Sequence, residues 1–142
     1  MGWHAYDLDH LALEIVLRAK ERDKKDKTDS RNQAHKMRAA CAYGLERFWG
    51  EHLRLEKEEP NKAKFIADVW HALVSILAKT GILLPDKVLT KNSPEEEIAN
   101  VANQLWNLNR HDQSLTLAVL TNLCDAVVWW TQRLMVAKEA QD

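Results

Sequence analysis

Strong turn-formers are scarce in this chain, with four Gly and three Pro among 142 residues. An all-β fold reverses direction often and would need many more of them. Between these breaks the apolar residues recur at three- and four-residue spacing, which marks amphipathic helices. The expected fold is therefore all-α, a single-domain bundle of about five helices covering residues 1–142. That length buries one core without a disulfide or metal staple. Apolar residues make up 46% and charged residues 29%, a balance found in globular rather than disordered chains.

The spacing predicts a first helix over about 7–24, capped by Asp7 or Asp9, with Leu8, Leu11, Ile15 and Ala19 on its buried stripe. The charged run of residues 20–27 follows as a solvated helix end or a loop. A second, longer helix runs from Asp29 or Ser30 to about Lys57. Its seam is Ala34, Met37, Cys41, Leu45, Phe48, His52 and Leu55, and Gly44 and Gly50 each weaken it by about 1 kcal/mol. Pro60 stops that helix, and Asn61 caps a third over about 62–80, which Gly81 ends in a left-handed conformation. Residues 82–85 then form an apolar connector folded back on the core. Ser93-Pro94-Glu95-Glu96-Glu97 opens a fourth helix, with Ser93 as cap, Pro94 at the first position and acids at the positive end. The last helix is expected over about 113–140. It is apolar over most of its circumference, with a polar strip of Asn122, Asp125, Gln132 and Arg133.

Cys41 and Cys124 are the only cysteines and form no C-x-x-C pair. Two buried free thiols in a reducing compartment are expected. The start Met1-Gly2-Trp3-His4 leads into a charged amphipathic segment and does not resemble a signal peptide. No uninterrupted apolar run reaches about 18 residues, so no membrane span is expected. These features point to a soluble, cytoplasmic protein.

Chemistry-bearing patterns are thin. Asp68 and His71 share a helix face, but nothing in the sequence adds the three or four ligands a metal needs. His4 and His10 near Asp7 and Asp9 do not make an i, i+4 ligand pair. Arg31 and His35 have only three residues between them, where the helical-ribonuclease pattern needs four to six, and that pattern is read as missing. There is no G-x-S-x-G and no Gly-rich phosphate loop, and the start of a helix explains Glu95, Glu96 and Glu97. No catalytic residue, metal, cofactor or small-molecule substrate is expected. The protein is read as one that binds.

Two surfaces stand out. The formal net charge is −1, yet ten of the twenty Lys and Arg lie between Arg18 and Arg47, against five acids. On one continuous helix, Lys36, Tyr43, Arg47 and Arg54 lie opposite the Ala34 seam, flanked by Arg31, His35 and Arg38. A row of cations with an aromatic among them suits a phosphate backbone and a stacked base. The candidate nucleic-acid-binding set is Lys24, Lys25, Lys27, Arg31, Lys36, Arg38, Arg47 and Arg54; the bland alternative is a solvated helix face. Six Trp are present. Trp49, Trp70, Trp106 and Trp130 are assigned to the core. Trp129 falls in the polar strip beside Asp125 and Arg133; it is read either as a further core residue or, with Arg133, as the candidate protein interface.

The order of elements, the charged break after the first helix, the W-H-A-L-V-S-I-L-A-K-T-G segment and the closing L-T-L-A-V-L-T-N-L-C-D-A-V-V-W-W-T-Q-R-L helix resemble the small helical subunit of class 1 (type I or type III) CRISPR effector complexes. The resemblance covers roughly residues 7–134 and lies in architecture and hydrophobic pattern. It implies a non-catalytic antiviral-defence subunit present in several copies. Those copies stack head to tail against the backbone-forming subunits of a ribonucleoprotein complex. They line a groove for single-stranded DNA or RNA and bind it without sequence preference. This chain departs from the basic balance of many such subunits. The rival expectation is a helical adaptor or regulator that binds only protein, and a more distant one is an enzyme.

Overall fold

A computed structural model of the chain describes residues 7–87 and 89–135. Among them are six α-helices and no strand: α1 (Leu8–Asp26), α2 (Arg31–Ala40), α3 (Leu45–Leu55), α4 (Pro60–Ala78), α5 (Glu95–Trp106) and α6 (Arg110–Leu134). A 3-10 turn, Cys41–Tyr43, joins α2 to α3. The all-helical fold expected from the sequence is present. Trp3, His4 and the expected end of the last helix at Ala140 lie outside the described residues.

The long second helix of the sequence reading is two helices. Gly44 ends the 3-10 turn with φ 97° and ψ 173°, a backbone state essentially confined to glycine. The seven seam residues are nevertheless all buried: Ala34, Met37, Cys41, Leu45, Phe48, His52 and Leu55. The break redirects the chain without moving those side chains off the core, which is why periodicity alone could not reveal it.

Local chemistry fixes the connections. Asp7 stands before α1 in a left-handed conformation, and its carboxylate accepts from the His10 ring at 3.0 Å. It does not cap the helix through its side chain, as the sequence had suggested. The Asp23 carboxylate gathers the α1–α2 turn by accepting from the Thr28 hydroxyl and from both the amide and hydroxyl of Ser30. Ser30 therefore spends its hydroxyl on Asp23 and not on capping α2. Pro60 does not merely stop a helix but occupies the first turn of α4, where its missing N–H costs nothing. Asn61 lies inside α4, buried, and donates to Asp26 and Thr28 at 2.9 Å each, tying α4 to the α1–α2 turn.

Gly81, with φ 88°, follows α4 as expected. The Ile82 amide donates to Leu77 and the Gly81 amide to Ala78, the paired bonds of a Schellman ending. Ile82 and Leu84 then turn inward while Leu83 faces out, and the Trp70 indole donates to the Pro85 carbonyl at 2.8 Å. Pro94 and not Ser93 is the residue before α5; the Ser93 hydroxyl accepts from the Thr90 amide. Asn109 caps α6 by accepting from the Asp112 amide at 2.8 Å, so α6 begins three residues earlier than expected.

One buried apolar cluster draws on all six helices. The most extensive packing is α1 on α6, followed by α3 on α4 and α2 on α6. Phe48 and Trp70 stack across the α3–α4 contact at 6.3 Å. The Arg22 guanidinium of α1 reaches Asp68 of α4 at 2.6 Å, with Arg18 at 3.7 Å. By length and composition alone, with a mean hydropathy of 1.2, α6 is long and apolar enough to cross a membrane, a property that core helices of globular proteins share. In the fold, Val119, Leu120, Leu123 and Val127 of α6 are buried in the common core.

Candidate binding surfaces

The candidate cations do not form one row. Lys24 and Lys25 are exposed on the last turn of α1, and Lys27 follows it in a left-handed conformation with φ 58°. Their charges face the negative end of the α1 dipole. Arg31 is held by Asp29 through two bonds, Nε at 3.0 Å and Nη2 at 2.7 Å. Arg38 reaches across to Asp125 of α6 at 2.6 Å. Arg54 pairs with Glu51 at 2.8 Å, one turn back on α3. Lys36 is exposed on α2, close enough to Glu59 to help Lys62 and Arg54 hold that carboxyl below its ordinary range; the Lys62 hydrogen bond is the main cause. Each of these basic stretches is interleaved with acids, which the net charge of −1 foreshadows.

The break at Gly44 also separates the residues placed opposite Ala34. Lys36 belongs to α2, Tyr43 to the 3-10 turn, and Arg47 and Arg54 to α3. The single helix face assumed in the sequence reading is therefore replaced by a bend, and the bend creates a different feature. Tyr43, Leu45 and Arg47 form one wall of an open groove of about 520 Å³. Trp106 at the end of α5, with Gln113 and Leu117 of α6, forms the other. Gln113 fixes that second wall by donating to the carbonyls of Trp106 and Leu108. Tyr43 is 70% exposed and Trp106 62%. Glu46 also lines the groove, with its Oε2 directed along α3 toward Gly50. Arg47 is exposed, and no ion pair holds it among the described residues, unlike Arg31, Arg38 and Arg54.

Sequence reasoning missed Trp106 by placing it in the core with Trp49 and Trp70, both of which are buried. On α5, Val101, Ala102 and Leu105 are the buried positions, and Trp106 is the last helical residue, with no further turn to cover its ring. Trp130 is partly buried against the core, its indole N–H enclosed without a hydrogen-bond partner.

Trp129 is 51% exposed, with the Arg133 guanidinium stacked 3.4 Å above its ring. The interface pair named from the sequence is thus a physical unit, a cation–π stack that covers one face of the indole.

The suspected chemistry pairs diverge. Asp68 turns toward Arg22 and Arg18, while His71 bonds Asp86 at 2.6 Å. The four-residue gap between Arg and His, sought at Arg31 and His35, occurs instead between Arg47 and His52. The two do not converge. His52 is buried, its Nδ1 bonded to the Trp49 carbonyl and its ring edge-on to Trp49, while Arg47 faces the groove. Among the described residues no group of three His, Cys, Asp or Glu side chains is placed to hold a metal ion.

No protein-family model matches the chain, and no curated protein or solved structure does so either.

Proposed function

We propose that the protein is a non-catalytic binding subunit of a CRISPR RNA-guided interference complex, and that it touches single-stranded nucleic acid through the Tyr43–Arg47–Trp106 groove. One observation carries the reading: two aromatic rings, 70% and 62% exposed, rim one groove beside a cation that no ion pair holds among the described residues. Rings that large gain little from facing water and much from a flat partner. Base stacking on such a ring contributes about 1–3 kcal/mol and tolerates any base, and a nearby Arg meets the phosphate. Lys24, Lys25 and Lys27 would add longer-range attraction at the end of α1. The helical-bundle architecture and the resemblance in hydrophobic pattern supply the assembly, with copies of the chain packed beside the other subunits. The near-neutral charge favours a few stacking contacts over a long electrostatic track.

The test is a fluorescence-anisotropy titration of the full chain with labelled single-stranded DNA and RNA at low and physiological salt. Binding is expected to both, weakening with salt. Tyr43→Ala and Trp106→Ala should each lower affinity about 5- to 150-fold. Arg47→Gln should reduce the salt slope by about 0.7. Absence of binding at low salt, or variants that bind like the parent, would overturn the reading.

The second reading is a protein-binding adaptor or regulator, favoured by the exposed Trp129–Arg133 stack. In that case Trp129→Ala abolishes subunit association measured by sedimentation, and the groove variants change nothing.

A further inference from the structure

Cys41 and Cys124 lie 83 residues apart in sequence, on the 3-10 turn and on α6, yet their sulfurs are 3.8 Å apart. That is van der Waals contact, less than 2 Å beyond the roughly 2.05 Å of a disulfide bond. Among the described residues no third His, Cys, Asp or Glu joins them as a metal ligand. We propose that Cys41 and Cys124 form a dithiol site which a peroxide oxidises to an intramolecular disulfide, stapling the bend between α2 and α3 to α6.

The two sulfurs have different roles. The Cys124 thiol, with the Thr121 hydroxyl and the Arg38 guanidinium behind it, holds Cys41 below the ordinary thiol range despite burial. Cys124 is pushed well above that range by the neighbouring Cys41 and by burial. Cys41 opens a short turn while Cys124 lies inside α6, so Cys41 is the sulfur a peroxide reaches and Cys124 the thiol that resolves. In the first step the Cys41 thiolate bonds to one peroxide oxygen and the O–O bond breaks. The departing hydroxide takes a proton and leaves as water, giving the Cys41 sulfenic acid. In the second step the Cys124 sulfur attacks the Cys41 sulfur and the S–O bond breaks. Hydroxide again leaves with the Cys124 proton as water. Two thiols and one peroxide thus become one disulfide and two waters.

Access sets the rate. Cys41 is only 3% exposed and Cys124 1%. Cys41 nevertheless opens a three-residue turn whose other two residues, Ala42 and Tyr43, face solvent; the Gly44 amide that closes it donates to the Cys41 carbonyl over a long 3.3 Å. Opening such a turn does not require global unfolding, and a peroxide is small enough to enter. A buried pair reached in this way is oxidised slowly by peroxide and more slowly still by bulky disulfides.

The experiment treats the native full chain with hydrogen peroxide, then unfolds and alkylates it before intact-mass and peptide analysis. The expected product is a monomer lighter by two hydrogens, with no alkylated cysteine and with the Cys41 and Cys124 peptides joined. Its Tm should rise by roughly 10 °C because a long loop is closed, and reduction should reverse the rise. In Cys124→Ser, a sulfenic-acid-trapping dione should label Cys41, and in Cys41→Ser the remaining Cys124 should stay unlabelled. The mass measurement on the parent chain needs neither variant to fold. Two freely alkylated thiols after native peroxide treatment, cross-linking only between chains, or sulfinic acid at both positions without a joined peptide would each overturn the proposal.

Discussion

Replacing Gly44 and Gly50 one at a time by alanine should move stability in opposite directions. On a continuous helix the two glycines are equivalent weaknesses, and either alanine would stabilise it. The structure separates them. Gly44 has φ 97° and ψ 173°, and a Cβ added there meets nothing within 4 Å. The cost of Gly44→Ala is therefore backbone strain alone, about 2 kcal/mol. Gly50 lies inside α3, and its added Cβ would meet only Glu46 Oε2 at 3.6 Å, an ordinary contact. Gly50→Ala should then gain about 0.5–1 kcal/mol from helix propensity and lost unfolded-state freedom. For a chain of this length about 1 kcal/mol moves Tm by roughly 3–4 °C. Thermal melts at fixed pH and concentration should place Gly44→Ala about 7 °C below the parent and Gly50→Ala about 3 °C above it. A Gly44→Ala protein at or above the parent Tm would mean that α2 and α3 run on as one helix, and the account of the bend, and of the groove it creates, would fail.

Other perturbations have expected outcomes of their own. Asp68→Asn removes the charge that receives Arg22 at 2.6 Å and should cost about 1–3 kcal/mol in urea unfolding, since the partly buried guanidinium loses its counter-charge. Asn109→Ala removes the side-chain acceptor for the Asp112 amide and should cost about 1 kcal/mol by the same assay. Glu59 sits below its ordinary value, chiefly through its hydrogen bond to Lys62. Its contribution is present above the unfolded-state pKa and is lost as pH falls through the lower folded value. Lys62→Met should therefore move the Glu59 carboxyl titration upward, as read by carbon NMR, while an unmoved titration would remove Lys62 as the cause.

What the sequence could show was whatever depends on period. The seam from Ala34 to Leu55 was legible because each residue keeps its inward direction on both sides of the bend. The Gly81 ending was legible because its chemistry is local. The bend itself was not, since a glycine in a helical pattern reads alike whether its φ is negative or positive. Capping positions slipped for a related reason. Ser30 and Ser93 are sound caps by type, but Asp23 and the Thr90 amide claim their hydroxyls. The groove and the thiol pair were beyond reach because both are made by distant segments. Tyr43 shares a groove with Trp106 and with Gln113 and Leu117 of α6, and Cys41 meets Cys124 across 83 residues. Neutralisation of Arg38 by Asp125 is likewise a contact between helices that no spacing announces.

The central claim is that a single strand lies against Tyr43 and Trp106, and ultraviolet cross-linking of an unmodified single-stranded oligonucleotide to the full chain tests it most directly. Peptide mapping of the adduct should place the cross-linked nucleotides on the peptides carrying Tyr43 and Trp106, with yield falling as salt rises. Adducts confined to the peptide carrying Trp129, or no adduct at low salt, would contradict the account and leave the Trp129–Arg133 surface as the place to look for the partner.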